Sequence, residues 1–435
     1  MIDGAFQITT DWWSACARQM LLKTRTIEDK QVTRTAKRLP ADLISAKNSI
    51  ASDRISPLDS GMSIPSATDI TRDLVRFNTI NPPGHEKLCS DYLGALLLDA
   101  GFEVDSYQYG DERISLVARL AGTGGKKPIC FGGHTDVVPL GNQAWSVEPF
   151  AGDIVDGRIY GRGTCDMKSG VAAFVHMGLR LAAEPRGAAD IVLVMVAGEE
   201  TGCDGSKHLQ DLGVLPEAGA MVIAEPTSNY PVLGHRGALW LNVTAHGKTA
   251  HGSMPQLGDN AVYKAARAVS KLENFGFNVP PDSLLGSTTH NVGTFHGGIN
   301  INSVPDRASF TIDIRSIPGH RHDEIIADLA RYLGGDVEIE TVVDVAPVLT
   351  KADDPWVRDV FELMTPRLGT APEPRGAPYF TDASALTPAC GNPPTLILGP
   401  GDMALAHQTD EYCDVAMIED AAEIYETIAR RWCEA

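Results

Sequence analysis

None of the eight cysteines sits in a CxxC pair; Cys16, Cys89, Cys130, Cys165, Cys203, Cys390, Cys413 and Cys433 are scattered singly. That spacing argues against both a zinc ribbon and a disulfide framework, and leaves free buried thiols as the expectation. Cys165 neighbours a candidate ligand but reads as a small packing residue rather than a nucleophile. Basic residues are also short: 37 Lys and Arg against 56 Asp and Glu give a formal charge of −19. Phosphate backbones are bound by fields of Lys and Arg, so DNA and RNA drop out as partners. Long apolar runs are missing. The stretch Ala188 to Ala197 is typical of the longest, far below the ~20 residues that span a bilayer. Asp3 and Asp11 interrupt the start where a signal peptide needs a basic and then an apolar run. The default compartment is the cytoplasm, with no membrane partner.

Several motifs also fail. His85-Glu86 starts like HExxH, but the fifth position is Cys89, so no zincin helix is encoded there. Gly122-Thr123-Gly124-Gly125-Lys126-Lys127 lacks the GxxxxGK[ST] spacing of a phosphate loop, and no GxSxG elbow occurs.

What is present is ordinary globular material: 435 residues, 43% hydrophobic and 21% charged. That composition argues against wholesale disorder, and the length predicts two or three domains. Residues 1–62 carry few apolar runs and read as a poorly ordered extension, with Met62 as an alternative start. From Ser66 the signals sharpen. Ser66 caps a helix through Phe77, and Glu86 to Ala100 is an amphipathic helix stopped by Gly101. Strands follow at Ile114–Leu120, Ile129–Gly132, Ile191–Ala197 and Ala220–Ala224, with a long helix at Met167–Ala183 between the second and third. This alternation predicts an α/β layer structure with a largely parallel sheet.

After Arg236-Gly237 the pattern changes. Leu239, Leu241, Val243 and Ala245 alternate with polar residues. A helix at Asn260–Phe275, a strand at Ala308–Ile314, a helix at Asp323–Leu333 and a strand at Val337–Val343 complete a βαββαβ-like α+β insert. Beyond Asp354 the α/β style returns, with a strand at Thr395–Leu398 and a closing helix at Ala416–Trp432. The expected division is 63–236 and 347–435 for one split α/β domain and 237–346 for the insert.

In open α/β sheets the chemistry sits past the carboxyl ends of strands. There the chain carries Gly133-His134-Thr135-Asp136, the turn Gly161-Arg162-Gly163-Thr164-Cys165-Asp166, then Gly198-Glu199-Glu200-Thr201-Gly202, Glu225-Pro226-Thr227, and a late Ala406-His407-Gln408. Singly each has a bland reading: His134 as a loop histidine, Asp166 as a helix cap. Two adjacent carboxylates at Glu199-Glu200, however, need a cation or a shared proton. His134, Asp166, Glu200, Glu225 and His407 together supply two imidazoles and three carboxylates, a ligand set for two divalent ions sharing a bridging carboxylate. Asp136, two residues beyond His134, is suited to holding the imidazole's other nitrogen.

These motifs, with Gly247-Lys248-Thr249-Ala250-His251, resemble the M20 metallopeptidases, in particular the acetylornithine deacetylase and succinyl-diaminopimelate desuccinylase branch. The likeness runs from about Ser66 to the C-terminus. It implies a zinc-peptidase-like catalytic domain with a mostly parallel mixed sheet, interrupted by a ferredoxin-like lid and dimerisation domain. One zinc would be held by His134 and Glu225 and the other by Glu200 and His407, with Asp166 bridging; cobalt or manganese would suit the same donors. Glu199 would be the general base. His251 would help stabilise the oxyanion, often in the partner subunit's site, which implies a homodimer. Asn302 and Arg315 would bind a substrate carboxylate, although Arg315 could equally pair with a surface acid.

The resemblance implies removal of an acetyl or succinyl group from an N-acyl amino acid such as N-acetylornithine or N-succinyl-diaminopimelate. A dipeptidase or glutamate-releasing carboxypeptidase is the alternative within the enzyme class, and a non-catalytic metal-binding protein the alternative outside it. Retention of an unligated Glu199 beside five ligands speaks against the last. The chain departs from the family at Ser169, where Gly is common, and at Tyr379-Phe380, where a Gly-Thr turn is frequent. Aromatic bulk at Tyr379 and Phe380 leaves the acyl group open.

Overall fold

A computed structural model describes residues 64–434 of the chain; the expectations for residues 1–62 lie outside them. Ser66 caps α1 (Ala67–Val75) by accepting the N–H of Asp69, as a Ser at that position should. Helix α2 (Lys87–Asp99) leads into the antiparallel pair β1 (Glu103–Gly110) and β2 (Arg113–Leu120). Next come β3 (Lys126–His134), the short strands β4 (Ile154–Val155) and β5 (Arg158–Tyr160), helix α3 (Lys168–Ala182), β6 (Ala189–Val196), α4 (Asp204–Leu212) and β7 (Ala220–Ile223). Strand β14 (Thr395–Ile397) completes a six-stranded sheet ordered β1-β2-β6-β3-β7-β14, parallel from β6 onward.

Both faces of this sheet are covered, which explains the unbroken apolar run of β6. Leu193 and Met195 point to the side packed by Ile70 and Leu74 of α1 and by Val171 and Phe174 of α3. Val192, Val194 and Val196 point to the other side, against Leu209 of α4. Each such fully buried side chain contributes about 1.5–3 kcal/mol.

Past β8 (Gly234–His235) the chain enters a separate antiparallel sheet: β9 (Gly237–His246), α5 (Ala261–Leu272), β10 (Thr289–Gly297), β11 (Arg307–Ser316), α6 (His322–Leu333) and β12 (Val337–Val345), in the order β10-β11-β9-β12. This is the βαββαβ arrangement with ferredoxin-like strand order. Leu241 pairs with Ile312 and Val243 with Phe310. One face of these strands packs on Ala265 and Leu272 of α5 and Leu329 of α6, while the other is more polar, hence the period-2 pattern. The chain returns through β13 (Val348–Leu349), α7 (Pro355–Leu368), α8 (Ala383–Ala389), β14 (Thr395–Ile397), β15 (Tyr412–Asp414) and α9 (Val415–Glu434). Tyr425 of α9 packs on Phe131. Strand β15 pairs with β5, tying the end of the chain to the turn before α3. No helix among the described residues is long and apolar enough to cross a membrane.

Candidate active site

Strands β3, β6 and β7 are parallel neighbours, so their carboxyl ends share one edge of the sheet. His134 is the last residue of β3, Glu199 and Glu200 follow β6, and Glu225 follows β7. Asp166 lies just before α3, and that helix must come very close. A Cβ built on Gly170 would sit 2.1 Å from the carbonyl oxygen of Ala224, so only glycine lets the first turn of α3 settle beside Glu225. A second glycine is required at Gly198, whose φ is +80° and whose added Cβ would fall 2.2 Å from the Tyr109 hydroxyl.

All five metal-ligand candidates come together. His134 Nε2 is 3.2 Å from Asp166 Oδ1 and 3.8 Å from Glu225 Oε1. His407 Nε2 is 3.3 Å from Asp166 Oδ2 and 3.3 Å from Glu200 Oε2. One carboxylate thus faces an imidazole with each oxygen, and each imidazole has a further carboxylate beside it. Ligand atoms of His134, Asp166 and Glu200 all lie within 4.8 Å of one another. Asp166 is not spent as a helix cap: Met167 holds the N-cap position of α3, without a side-chain cap bond. The His407 side chain is 53% exposed, so the cluster opens to solvent on that side.

Asp136 meets the imidazole of His134 with two groups. The nearer partner of His134 Nδ1 is the main-chain carbonyl of Asp136 at 2.9 Å; the Asp136 carboxylate is 3.5 Å away. The carboxylate also takes N–H donors, accepting Gly198 at 2.9 Å and Glu199 at 3.1 Å on Oδ1, and Glu200 at 3.2 Å and the Asn81 amide at 2.8 Å on Oδ2. A carbonyl suffices to keep the proton on Nδ1 and leave Nε2 free as a ligand, while the charged oxygens hold the turn that carries Glu199 and Glu200.

Protonation follows from the crowding of negative charge. Burial, and then the neighbouring carboxylates, push the Glu199 and Glu225 carboxyls well above the usual range. Glu200 is raised by burial and by Asp166. Hydrogen bonds to Asp166 and Glu200 lift His407 to about 10. For His134 burial acts downward, but the bonds to Asp136 and Asp166 outweigh it and the net direction is up. The carboxylates that face them thus favour the charged form of both imidazoles. Glu200 Oε1 is buried without a hydrogen-bond partner, an orphaned acceptor that a metal ion would satisfy. Nitrogen and oxygen donors in this number fit zinc and its divalent neighbours.

Glu199 is 5% exposed and makes none of the close carboxylate–imidazole contacts of the other acids. His251 is exposed; its Nδ1 lies 2.7 Å from Ser253 Oγ, and its backbone bridges to Ser303. Asn302 accepts the Gly252 N–H at 2.7 Å on its carbonyl, so His251 and Asn302 share a loop cluster. Arg315 Nε pairs with Asp313 at 2.9 Å, and Trp240 donates to the same carboxylate at 3.0 Å. The Cys165 thiol is buried and donates to the carbonyl of Asp402 at 3.1 Å, in keeping with a packing role.

Sequence reasoning missed Asn81, whose only signal was its place in a turn. It also missed the role of Asp382, a buried carboxyl raised to about 6, chiefly by burial, which accepts Ser206 Oγ at 2.6 Å. Tyr379 donates to the carbonyl of Pro226 at 3.2 Å, beside Glu225.

The model of "Peptidase family M20/M25/M40" matches residues 130–431. An acetylornithine deacetylase of Myxococcus xanthus is 32% identical over 358 residues, covering 78% of this chain and 90% of its own length. A probable succinyl-diaminopimelate desuccinylase of Staphylococcus epidermidis is 28% identical over 396 residues, covering 83% and 96%. Among solved structures, an M20 family metallo-carboxypeptidase from Sulfolobus solfataricus superposes with a TM-score of 0.70 at 18% identity, covering 83% of this chain and 98% of that one. Aminopeptidase PepT from Bacillus cereus gives 0.66 at 23% identity, covering 85% and 98%; these two likenesses speak for the fold. A strand-end cluster of two histidines and acidic side chains, inside a match spanning most of the sequence, places this chain in peptidase family M20, as a hydrolase.

Proposed function

We propose that the protein is a two-metal amidohydrolase that removes a short acyl group from the nitrogen of an amino acid. The observation that carries the reading is the Asp166 carboxylate, with one oxygen 3.2 Å from His134 and the other 3.3 Å from His407. His134, Glu225 and Asp166 Oδ1 would hold one ion, and His407, Glu200 and Asp166 Oδ2 the other. Zinc suits these donors best, and cobalt or manganese fit them. When bound, such a pair lowers the pKa of water and polarises the amide carbonyl.

The chain's own residues manage the proton. Glu199, buried and outside the ligand pairs, is the general base: it takes the proton of the attacking water as the new C–O bond forms. It then returns that proton to the amide nitrogen as the C–N bond breaks, giving a carboxylic acid and a free amine. Three N–H donors to Asp136 hold the backbone of this turn, so Glu199 stays oriented while it gains and loses charge. The names of the relatives, a deacetylase and a desuccinylase, support an N-acyl amino acid as substrate. The smaller sheet, within residues 237–346, is read as a lid. His251 and Asn302 are presented by an exposed loop of that part, where they meet the oxyanion and substrate carboxylate of a partner subunit, with Arg315 as a further carboxylate contact.

Homodimerisation through the lid is supported by β10, an edge strand. The groove of about 550 Å³ beside it is lined by Val269 of α5 and Val292 and Phe295 of β10. The cytoplasm is the proposed compartment, since the seven described cysteines are all free and buried, as reducing conditions leave them.

The test is a substrate panel of N-acetyl, N-formyl and N-succinyl amino acids alongside dipeptides, assayed with and without a chelator. Hydrolysis of an N-acyl amino acid that stops on chelation is expected; turnover of dipeptides alone would move the assignment to the dipeptidase alternative.

A further inference from the structure

One carboxylate outside the five-residue cluster lies four residues beyond His407 and is bonded to the turn that carries Asp166. Glu411 has no exposed side-chain surface. Its Oε1 accepts the backbone N–H groups of Gly163 at 3.1 Å, Cys165 at 2.8 Å and Asp166 at 3.0 Å. Its Oε2 accepts Arg162 Nη1 at 2.5 Å. The main-chain carbonyl of Glu411 accepts the N–H of Gly161 at 2.9 Å. Arg162 is buried as well, and its Nη2 donates to the carbonyls of Pro139 at 3.2 Å and His407 at 3.5 Å.

The 161–166 turn has no regular secondary structure to fix it until α3 begins, and His407 sits in a loop at a φ of +64°. Regular hydrogen bonding therefore fixes neither Asp166 nor His407. Strands hold His134 directly and carry the chain to within a few residues of Glu200 and Glu225. Three N–H groups converging on one oxygen form an anion-binding concavity, and burying a carboxylate there is tolerable because every oxygen is met by donors.

We infer that Glu411 is a positioning residue for the metal centre, locking the Asp166 turn to the His407 loop so that one carboxylate faces both imidazoles. The inference rests on the two-metal reading above. It gives the late loop two tasks, four residues apart: His407 supplies a ligand, and Glu411 sets the place of the ligand that His407 shares. Glutamine cannot replace it. An amide offers one acceptor and one NH2 group, whereas both sides of this carboxylate are met by donors. Aspartate keeps the charge but is one methylene too short to reach the turn and Arg162 together.

The experiment is a zinc titration of the full chain, stripped of metal, in competition with a coloured zinc chelator. Wild type is run with Glu411→Gln, Glu411→Asp and Thr350→Val. The last removes a buried hydroxyl that donates to the Thr395 carbonyl at 2.6 Å, at the start of β14 and so at the opposite end of that strand from the cluster, and controls for general loss of stability. Wild type is expected to bind two zinc ions. Each folded Glu411 variant should bind at least one of them roughly 10- to 100-fold more weakly, the range for residues that orient ligands. Thr350→Val should melt at a lower temperature with unchanged zinc affinity. Wild-type zinc affinity in either folded Glu411 variant overturns the inference, as does an equal loss in Thr350→Val. A wild-type chain that takes up no zinc overturns the two-metal reading itself, and this inference with it.

Discussion

The backbone N–H of Glu199 donates to Oδ1 of Asp136 at 3.1 Å. Asp136 lies two residues beyond His134, so a single short loop steers the end of one strand and also grips the turn that leaves the next. His134 and Glu199 are thereby held by one residue: its carbonyl serves the imidazole and its carboxylate serves the Glu199 turn.

Replacing Asp136 by Asn puts an NH2 group where one of the oxygens now accepts backbone donors. Hydrogen bonds to charged groups are worth about 1.5–3 kcal/mol each, so Asp136→Asn should lose about 2–3 kcal/mol of stability in urea unfolding. Zinc affinity should fall roughly 10- to 100-fold with it. Unchanged values for both would mean that the turn is held by something else.

Glu199→Gln should preserve both the fold and the metal content, because Glu199 stands outside the close ligand contacts. Loss of a general base lowers kcat by about 10²–10⁴-fold. Parallel measurement of kcat and of zinc per chain checks this; a variant that loses zinc along with activity would make Glu199 a ligand instead.

Gly170→Ala sets two effects against each other. Alanine improves helix propensity by about 1 kcal/mol, but its Cβ would press on the Ala224 carbonyl from 2.1 Å. Backbone gives way poorly, so the overpacking cost should reach the upper end of its range, about 3 kcal/mol. Net destabilisation is expected in thermal and urea unfolding, with weaker zinc binding as Asp166 moves away from Glu225.

His235 is buried, and burial lowers its imidazole from 6.5 to about 4. Its Nδ1 lies 2.8 Å from the Arg236 carbonyl, and its Nε2 has no partner. The unfolded chain binds a proton below pH 6.5 and the folded one only below about 4. The stabilising preference for the neutral form is therefore complete above pH 6.5 and is lost as pH falls through that interval. At about 1.4 kcal/mol per pH unit this amounts to on the order of 3 kcal/mol. His235→Gln should remove that part of the acid sensitivity, seen as a smaller drop in unfolding free energy between pH 7 and pH 4. Parallel pH curves for the two proteins would contradict it.

How much of this was legible beforehand follows from where each residue sits. His134, Glu200 and Glu225 follow apolar runs that could only be strands of a covered parallel sheet, and such strands deliver function at their carboxyl ends. The βαββαβ insert was legible from the alternation in β9 and β11. Strand β10 was not, because it is a largely exposed edge strand with little apolar alternation, and β1 was missed for the same reason. Helices α4, α7 and α8 were also passed over; α8 is only seven residues long. The contacts of Asn81 and Glu411, and the hold of Asp136 on the Glu199 turn, were beyond reach, since each joins groups far apart along the chain and no local spacing encodes such a contact.

Counting metal against activity in one preparation separates a two-metal hydrolase from a metal-independent one. Purified protein, stripped with a chelator and reloaded stepwise with zinc, should regain hydrolysis of an N-acyl amino acid as zinc approaches two ions per chain. Asp166→Asn should neither hold the pair nor regain activity. Full hydrolysis by the stripped chain, or by Asp166→Asn, would contradict the account.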